Sequence, residues 1–315
     1  MDTLSTGFTS RPPTLDDAAL ILELVSAYNL RILGYADYTL DDVRDELTEP
    51  GYDPRTDGWL VFDGTGALAG YGWAFGNHDG DLANLDVIAS DPAVARWLLD
   101  RALARTREIG RTRGHARMTV DKGVYRADQA TRALLADYGF AAATAYHRMR
   151  VDHHGPVPVP ALPEGVTLRE ATDEETRRAA HRVTMTSFGD HFGHVDETYD
   201  GWRALREARS AFDWSQLAVL DLDGSPVAVC ECTDQFLDDE DCGYVLKLGV
   251  LPSARGRGLA KYLLRRTFAR DAAAGRKGTI LHVDTNNTTP ALGLYESVGM
   301  KPVLVIDVWR TSVEV

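Results

Sequence analysis

Residues 244 to 261 carry the arrangement with the clearest chemistry. Tyr244 to Val250 is an apolar run of β-branched and aromatic residues suited to a buried strand, and Pro252 stops it. Arg255-Gly256-Arg257-Gly258-Leu259-Ala260 follows, directly before a segment whose Leu259, Tyr262, Leu263 and Phe268 fall on or near one helical face. A helix entered from a glycine turn leaves its first N–H groups unpaired, and its dipole favours negative charge there. Glycine at 256 and 258 lets a phosphate approach the backbone closely. The turn suits a diphosphate, although the same pattern also serves as a plain structural connector. Eight basic residues between Arg255 and Lys277 add a local positive field. Neither nucleotide fingerprint, G-x-G-x-x-G after a strand or G-x-x-x-x-G-K-[ST], is present, which argues against dinucleotides and ATP.

Other reactive side chains are few. Cys230 and Cys232 alternate onto one face of a strand, where they serve either as a thiol nucleophile or as small apolar residues. No second cysteine or histidine pair lies nearby, so no metal is expected. His191 and His194, in SFGDHFGHVDE between two helical segments, read from the residues alone as loop or capping residues.

The elements around these residues belong to a chain of 315 residues, long enough for two domains. The 47 acidic residues outnumber 34 basic ones, a net charge of −13 that would repel a phosphate backbone, so no nucleic-acid partner is expected. No run approaches the ~18 apolar residues of a membrane span. The first residues lack the basic and apolar stretches of a signal peptide. With three closely grouped cysteines, this gives the expectation of a cytoplasmic protein, monomeric or homodimeric, without a membrane partner.

Residues 151–165 hold four prolines and two glycines, which reads as a stiff connector. On either side the same elements recur in the same order. Two helical patterns (about 15–32 and 40–48; 172–186 and 199–209) precede a hairpin with its turn at 64–66 or 223–224. A strand, a long helix (92–109; 257–274), a strand, a short helix and a final strand follow. The fold class is therefore α/β, with a mixed central sheet and helices on both faces in each half.

Val250-Leu251-Pro252-Ser253-Ala254-Arg255-Gly256-Arg257-Gly258-Leu259-Ala260 is similar to the V-x-P-x-x-R-G-x-G-x-A stretch of the GCN5-related N-acetyltransferase (GNAT) superfamily. Asn287 and the later Ala291-Leu292-Gly293-Leu294-Tyr295-Glu296-Ser297-Val298-Gly299-Met300 resemble that family's N…A-x-x-L-Y-E-x-x-G-F/M block. The duplicated layout resembles tandem members of the family. The resemblance implies two tandem GNAT-like domains: 1–150, a connector at 151–165, and an active 166–315 that binds acetyl-CoA.

Carried over residue by residue, it implies that the backbone of Leu248, Gly249 and Val250 meets the pantetheine arm. Amides of Arg255, Gly256, Arg257, Gly258, Leu259, Ala260 and Lys261 would hold the diphosphate. Asn287 would line the cofactor arm, and Tyr295 would stand beside the thioester sulfur. Several relatives place a glutamate base where this chain has Tyr244, so Tyr244, Glu231 and Asp241 are the candidates for that end of the site, with Glu240 and Asp284 nearby. The resemblance also lays the loop with His191 and His194 over the acceptor, with Phe188, Phe192 and Trp202 as its apolar walls and Tyr244 as a further acceptor contact. The implied reaction is acetyl transfer to a primary amine of a small molecule by direct attack in a ternary complex. A non-catalytic acyl-CoA sensor and a protein N-acetyltransferase are the alternatives.

The first half departs from this pattern. Its counterpart of the phosphate turn, Ala89-Ser90-Asp91-Pro92-Ala93, has no glycine, adds a carboxylate and loses an N–H to proline. Leu135 stands where Tyr295 would. The first domain is expected to be a degenerate copy that does not bind CoA.

Overall fold

The computed structural model describes residues 4, 6–76, 80–189, 195–285 and 291–315. The chain divides into two compact units, Met1–Ala145 with Ile306–Val315, and Tyr146–Val305.

The first unit runs β1 (Thr9–Arg11), α1 (Ala18–Leu33), α2 (Leu40–Leu47), α3 (Pro54–Asp57), β2 (Gly58–Phe62), β3 (Leu68–Gly76), β4 (Leu82–Ala89), α4 (Pro92–Arg113), β5 (Arg117–Tyr125) and α5 (Gln129–Asp137). The strand β6 (Ala141–Asp152) then leads out of it. Strands β1 to β5 lie in sequence order, antiparallel except for the parallel pair β4 and β5. Alternating side chains feed two cores. Leu60 and Tyr71 meet Ile21, Val25 and Val43 on one face. Val61, Ala74 and Leu85 meet Leu98, Leu99 and Ala102 of α4 on the other.

The second unit runs β7 (Val166–Glu170), α6 (Glu174–Phe188), α7 (Tyr199–Glu207), β8 (Leu217–Leu222), β9 (Ser225–Thr233), α8 (Leu237–Glu240), β10 (Cys242–Val250), α9 (Leu259–Ala273), β11 (Gly278–Asp284) and α10 (Ala291–Ser297), before the last strand β12 (Lys301–Glu314). Strands β7 to β11 are antiparallel neighbours except for the parallel pair β10 and β11. Leu217, Val219 and Val229 pack against Val183 and Trp202 from α6 and α7. Ala218, Leu220, Cys230 and Cys232 pack against Leu263, Leu264 and Phe268 of α9. Truncating a fully buried member such as Leu220 to alanine would cost about 2–5 kcal/mol.

Both units are thus α/β with a mixed sheet covered on both faces, and both hairpin turns lie where the sequence placed them. The division of the chain differs from 1–150 and 166–315 in its closing strands. Tyr146–Asp152 of β6 pairs antiparallel with β11 in the second unit. Ile306–Glu314 of β12 pairs antiparallel with β5 in the first. The connector therefore begins after Asp152, and residues 153–165 form neither helix nor strand.

Candidate active site

The site opens where β10 and β11 stop pairing. Their parallel register runs from Cys242↔Gly278 to Val245↔Leu281 and ends there, although both strands continue. On its other edge β10 slips register against β9 between Val245 and Lys247, which leaves Leu246 as the extra residue of a bulge. Between the parted strands lies a cavity of about 760 Å³. Leu248, Gly249 and Val250 line one side, and His282, Val283 and Asp284 line the other. A Cβ on Gly249 would stand 2.2 Å from Ser187 Oγ, so the absent side chain is what lets the end of α6 seat against β10.

The head of α9 forms the far end of the cavity, lined by Arg255, Gly256, Gly258, Leu259, Ala260 and Lys261. Gly256 and Gly258 have φ of +77° and +78°, and nothing lies within 4 Å of where their Cβ atoms would be. None of the amides from Gly256 to Lys261 donates to a backbone or side-chain acceptor among the described residues; the first helical bond is Tyr262 N–H to Gly258 O at 2.9 Å. Consecutive free donors at a helix start, with no side chain in front of them, fit an anion. Arg255 is tied back by its Nε, which donates to Val250 O at 3.2 Å. Arg257 does not line the cavity.

Tyr295 from α10 lines the same cavity, 8% exposed, and its hydroxyl makes no hydrogen bond among the described residues. Burial pushes its phenol up to about 12, so the proton stays on oxygen. Tyr244 and Phe188 line the cavity as well.

Tyr244 belongs to a chain of hydrogen bonds. Arg148 Nε donates to His282 Nε2 at 3.2 Å, and Arg148 Nη1 to Glu240 Oε1 at 3.1 Å. A guanidinium only donates, so Nε2 of His282 carries no proton. Burial, and then the charge of Arg148, hold His282 down to about 3, so the ring is neutral with its one proton on Nδ1. That proton goes to the Tyr244 oxygen at 3.0 Å. The phenol's own proton is left for the cavity, and burial pushes Tyr244 up to about 12, which makes it a donor and not a base.

The carboxylates singled out beside Tyr244 lie elsewhere. Glu231 is fully buried on the α7 side of the sheet, where its Oε2 accepts from Arg206 Nη2 at 2.8 Å. Asp241 sits in the turn before β10, 3.5 Å from Lys277 Nζ. Asp284 is the one carboxylate among the described lining residues. Cys230 and Cys232 are buried against Thr267 of α9, outside the lining. His191, Phe192, His194 and Asn287 lie outside the described residues, and Trp202 is no pocket wall, being fully buried in the core beneath α6 and α7. Lys247 and His282 are lining residues that sequence reasoning passed over; each is a polar residue inside an apolar strand, a signal open to reading.

In the first unit the counterpart of the α9 cradle is closed. The Asp91 carboxylate caps α4, accepting from Ala93 N–H at 2.7 Å and Val94 N–H at 3.2 Å. Leu135 is 1% exposed in the α4 core.

Residues 179–300, nearly the whole frame of the cavity, match the family model of the acetyltransferase (GNAT) family. The chain is 32% identical over 236 residues to a mycothiol acetyltransferase of Thermomonospora curvata, covering 74% of this chain and 75% of that protein. Its fold is similar to a GCN5-related N-acetyltransferase from Sphaerobacter thermophilus, with TM-score 0.83, 21% identity, and 99% and 98% of the two chains covered. A tandem GNAT protein from the clavulanic acid biosynthesis pathway aligns with TM-score 0.76 and 17% identity over 97% and 98% of the chains. The free amides at the head of α9, the parted strands and these likenesses agree: the chain belongs to the GNAT acetyltransferase family, in its tandem form, and is an acetyltransferase.

Proposed function

We propose that the second unit moves an acetyl group from acetyl-CoA to a primary amine of a small molecule by direct attack in a ternary complex. The observation that carries this reading is the row of unengaged amides from Gly256 to Lys261, opening on the cavity that also holds the Tyr295 hydroxyl. The amides, with Gly256 and Gly258 leaving the approach clear, would hold the diphosphate. The strand edge at Leu248, Gly249 and Val250, unpaired beyond Val245, would take the pantetheine arm. Bound there, acetyl-CoA would supply a thioester carbon that accepts the amine's lone pair, with the C–S bond breaking, one proton leaving the amine and one reaching the sulfur.

The residues have distinct tasks. A lysine-like amine with pKa about 10.4 is mostly protonated at pH 7, so a base is required. Asp284 is the lining carboxylate for that task, directly or through water. Tyr295 keeps its proton and donates toward the departing sulfur. Tyr244, its proton directed by His282, donates to the acceptor or to the developing oxyanion. The mycothiol acetyltransferase likeness supports a small-molecule acceptor. The first unit, with its α4 head capped by Asp91, would bind no CoA.

Calorimetric titration with acetyl-CoA and release of free thiol with an amine panel test this together. Gly258→Asp places a carboxylate in the cradle and should abolish acetyl-CoA binding. Tyr295→Phe should keep that affinity and lose turnover by roughly 10²-fold or more. Undiminished binding by Gly258→Asp would sink the reading, and full turnover by Tyr295→Phe would remove the phenol from it.

A further inference from the structure

We propose that Lys247 is the counter-ion for a carboxylate on the acceptor, so that the amine this enzyme acetylates belongs to the amino-acid class. The inference rests on the cavity being the acetyl-transfer site. Lys247 stands in the middle of the apolar run of β10, directly after the bulge at Leu246, and lines the cavity. Its ammonium lies over the Phe188 ring, 5.0 Å from the centroid, and makes no ion pair or hydrogen bond among the described residues. Burial lowers its pKa, against the opposing pull of the Glu231 and Glu197 carboxylates.

Neither of these carboxylates forms an ion pair with it among the described residues. Glu231 is the cross-strand neighbour of Lys247, on the same face of the sheet. Its Oε2 is held by Arg206 at 2.8 Å, and no ion pair links it to Lys247. The donor substrate would not pair with Lys247 either. The anion cradle begins at Gly256, beyond Val250, which is itself roughly 10 Å further along the strand at 3.3 Å per residue. The pantetheine stretch in between is uncharged.

A half-buried ammonium gains when a carboxylate arrives, because charge-assisted hydrogen bonds are stronger than neutral ones and strengthen as the ligand displaces water. A single lysine supplies one compact charge, which suits a monoanion. Tyr244, the nearest polar group on β10, also offers a proton and no negative charge. The lining at this end of the cavity thus offers two donors, the Lys247 ammonium and the Tyr244 hydroxyl, and a carboxylate-bearing amine complements them.

The test titrates the full-length protein, with and without coenzyme A, with α-amino acids and with the same amines lacking the carboxylate: phenylalanine against phenethylamine, lysine against cadaverine, histidine against histamine. At least one amino acid should bind roughly ten- to hundredfold more tightly than its amine. Lys247→Met and Lys247→Gln should erase that difference and leave acetyl-CoA affinity unchanged, and Lys247→Arg should retain part of it. With an acetylated acceptor in hand, Lys247→Met should raise its KM far more than it lowers kcat. Amines binding as well as amino acids, no binding by any carboxylate, or a preference that survives Lys247→Met would each overturn the proposal. Loss of acetyl-CoA binding in the unaltered protein would count against the transferase reading instead, since the carboxylate preference is read without coenzyme A as well.

Discussion

His282 sets what Tyr244 can do, and it does so as a neutral ring. Its folded value of about 3 lies below the ordinary 6.5, so between those limits the unfolded chain binds a proton that the folded chain refuses. This contribution to stability is complete above pH 6.5 and is lost as pH falls toward 3, at no more than about 1.4 kcal/mol per pH unit. Denaturant unfolding at several pH values from 7 to 4 should show a shallower decline for His282→Gln than for the unaltered protein. Parallel declines would mean that the ring is protonated in the folded state and that the proton assignment at Tyr244 fails. The role of His282 was half legible: a histidine within the apolar TILHVD stretch stands out. Its partner Arg148 did not, because it arrives on β6, a strand that the sequence assigns to the other half of the chain.

At the level of elements, β9 places alternate residues against different helices. Cys230 and Cys232 face α9, and Glu231 between them faces α7, where Arg206 meets it. Glu231, a candidate base because it lies on the strand before Tyr244, is instead one half of a buried ion pair. Removing one member leaves a buried charge uncompensated, so Glu231→Ala should cost about 3–5 kcal/mol in denaturant unfolding. A change under about 1 kcal/mol would show that Arg206 finds another partner or water. The strand, glycine turn and helix of β10 and α9 were fully legible, because local rules fix them: proline stops the strand, glycines open the turn, and the amphipathic run starts the helix. The edge that each closing strand joins was not. AYHRMRV and VLVIDVW have similar alternating patterns, and alternation fixes which side chains face a core without naming the neighbouring strand.

Across the molecule, two copies of one layout have diverged at the same two positions. The α4 head is occupied by Asp91 where the α9 head is open, and Leu135 is packed into a core where Tyr295 borders a cavity. Calorimetry should therefore give one acetyl-CoA site per chain, and two would show that the Asp91 cap yields to the cofactor. The exchange of closing strands has a further outcome during synthesis. Residues 306–314, which hydrogen-bond along β5 from Tyr125 to Arg117, leave the ribosome long after it. The N-terminal unit must wait, with that edge bare, for a strand about 180 residues downstream, a long-range pairing of the kind that slows folding. A polypeptide cut short of Ile306 would thus be damaged in the half that was made first.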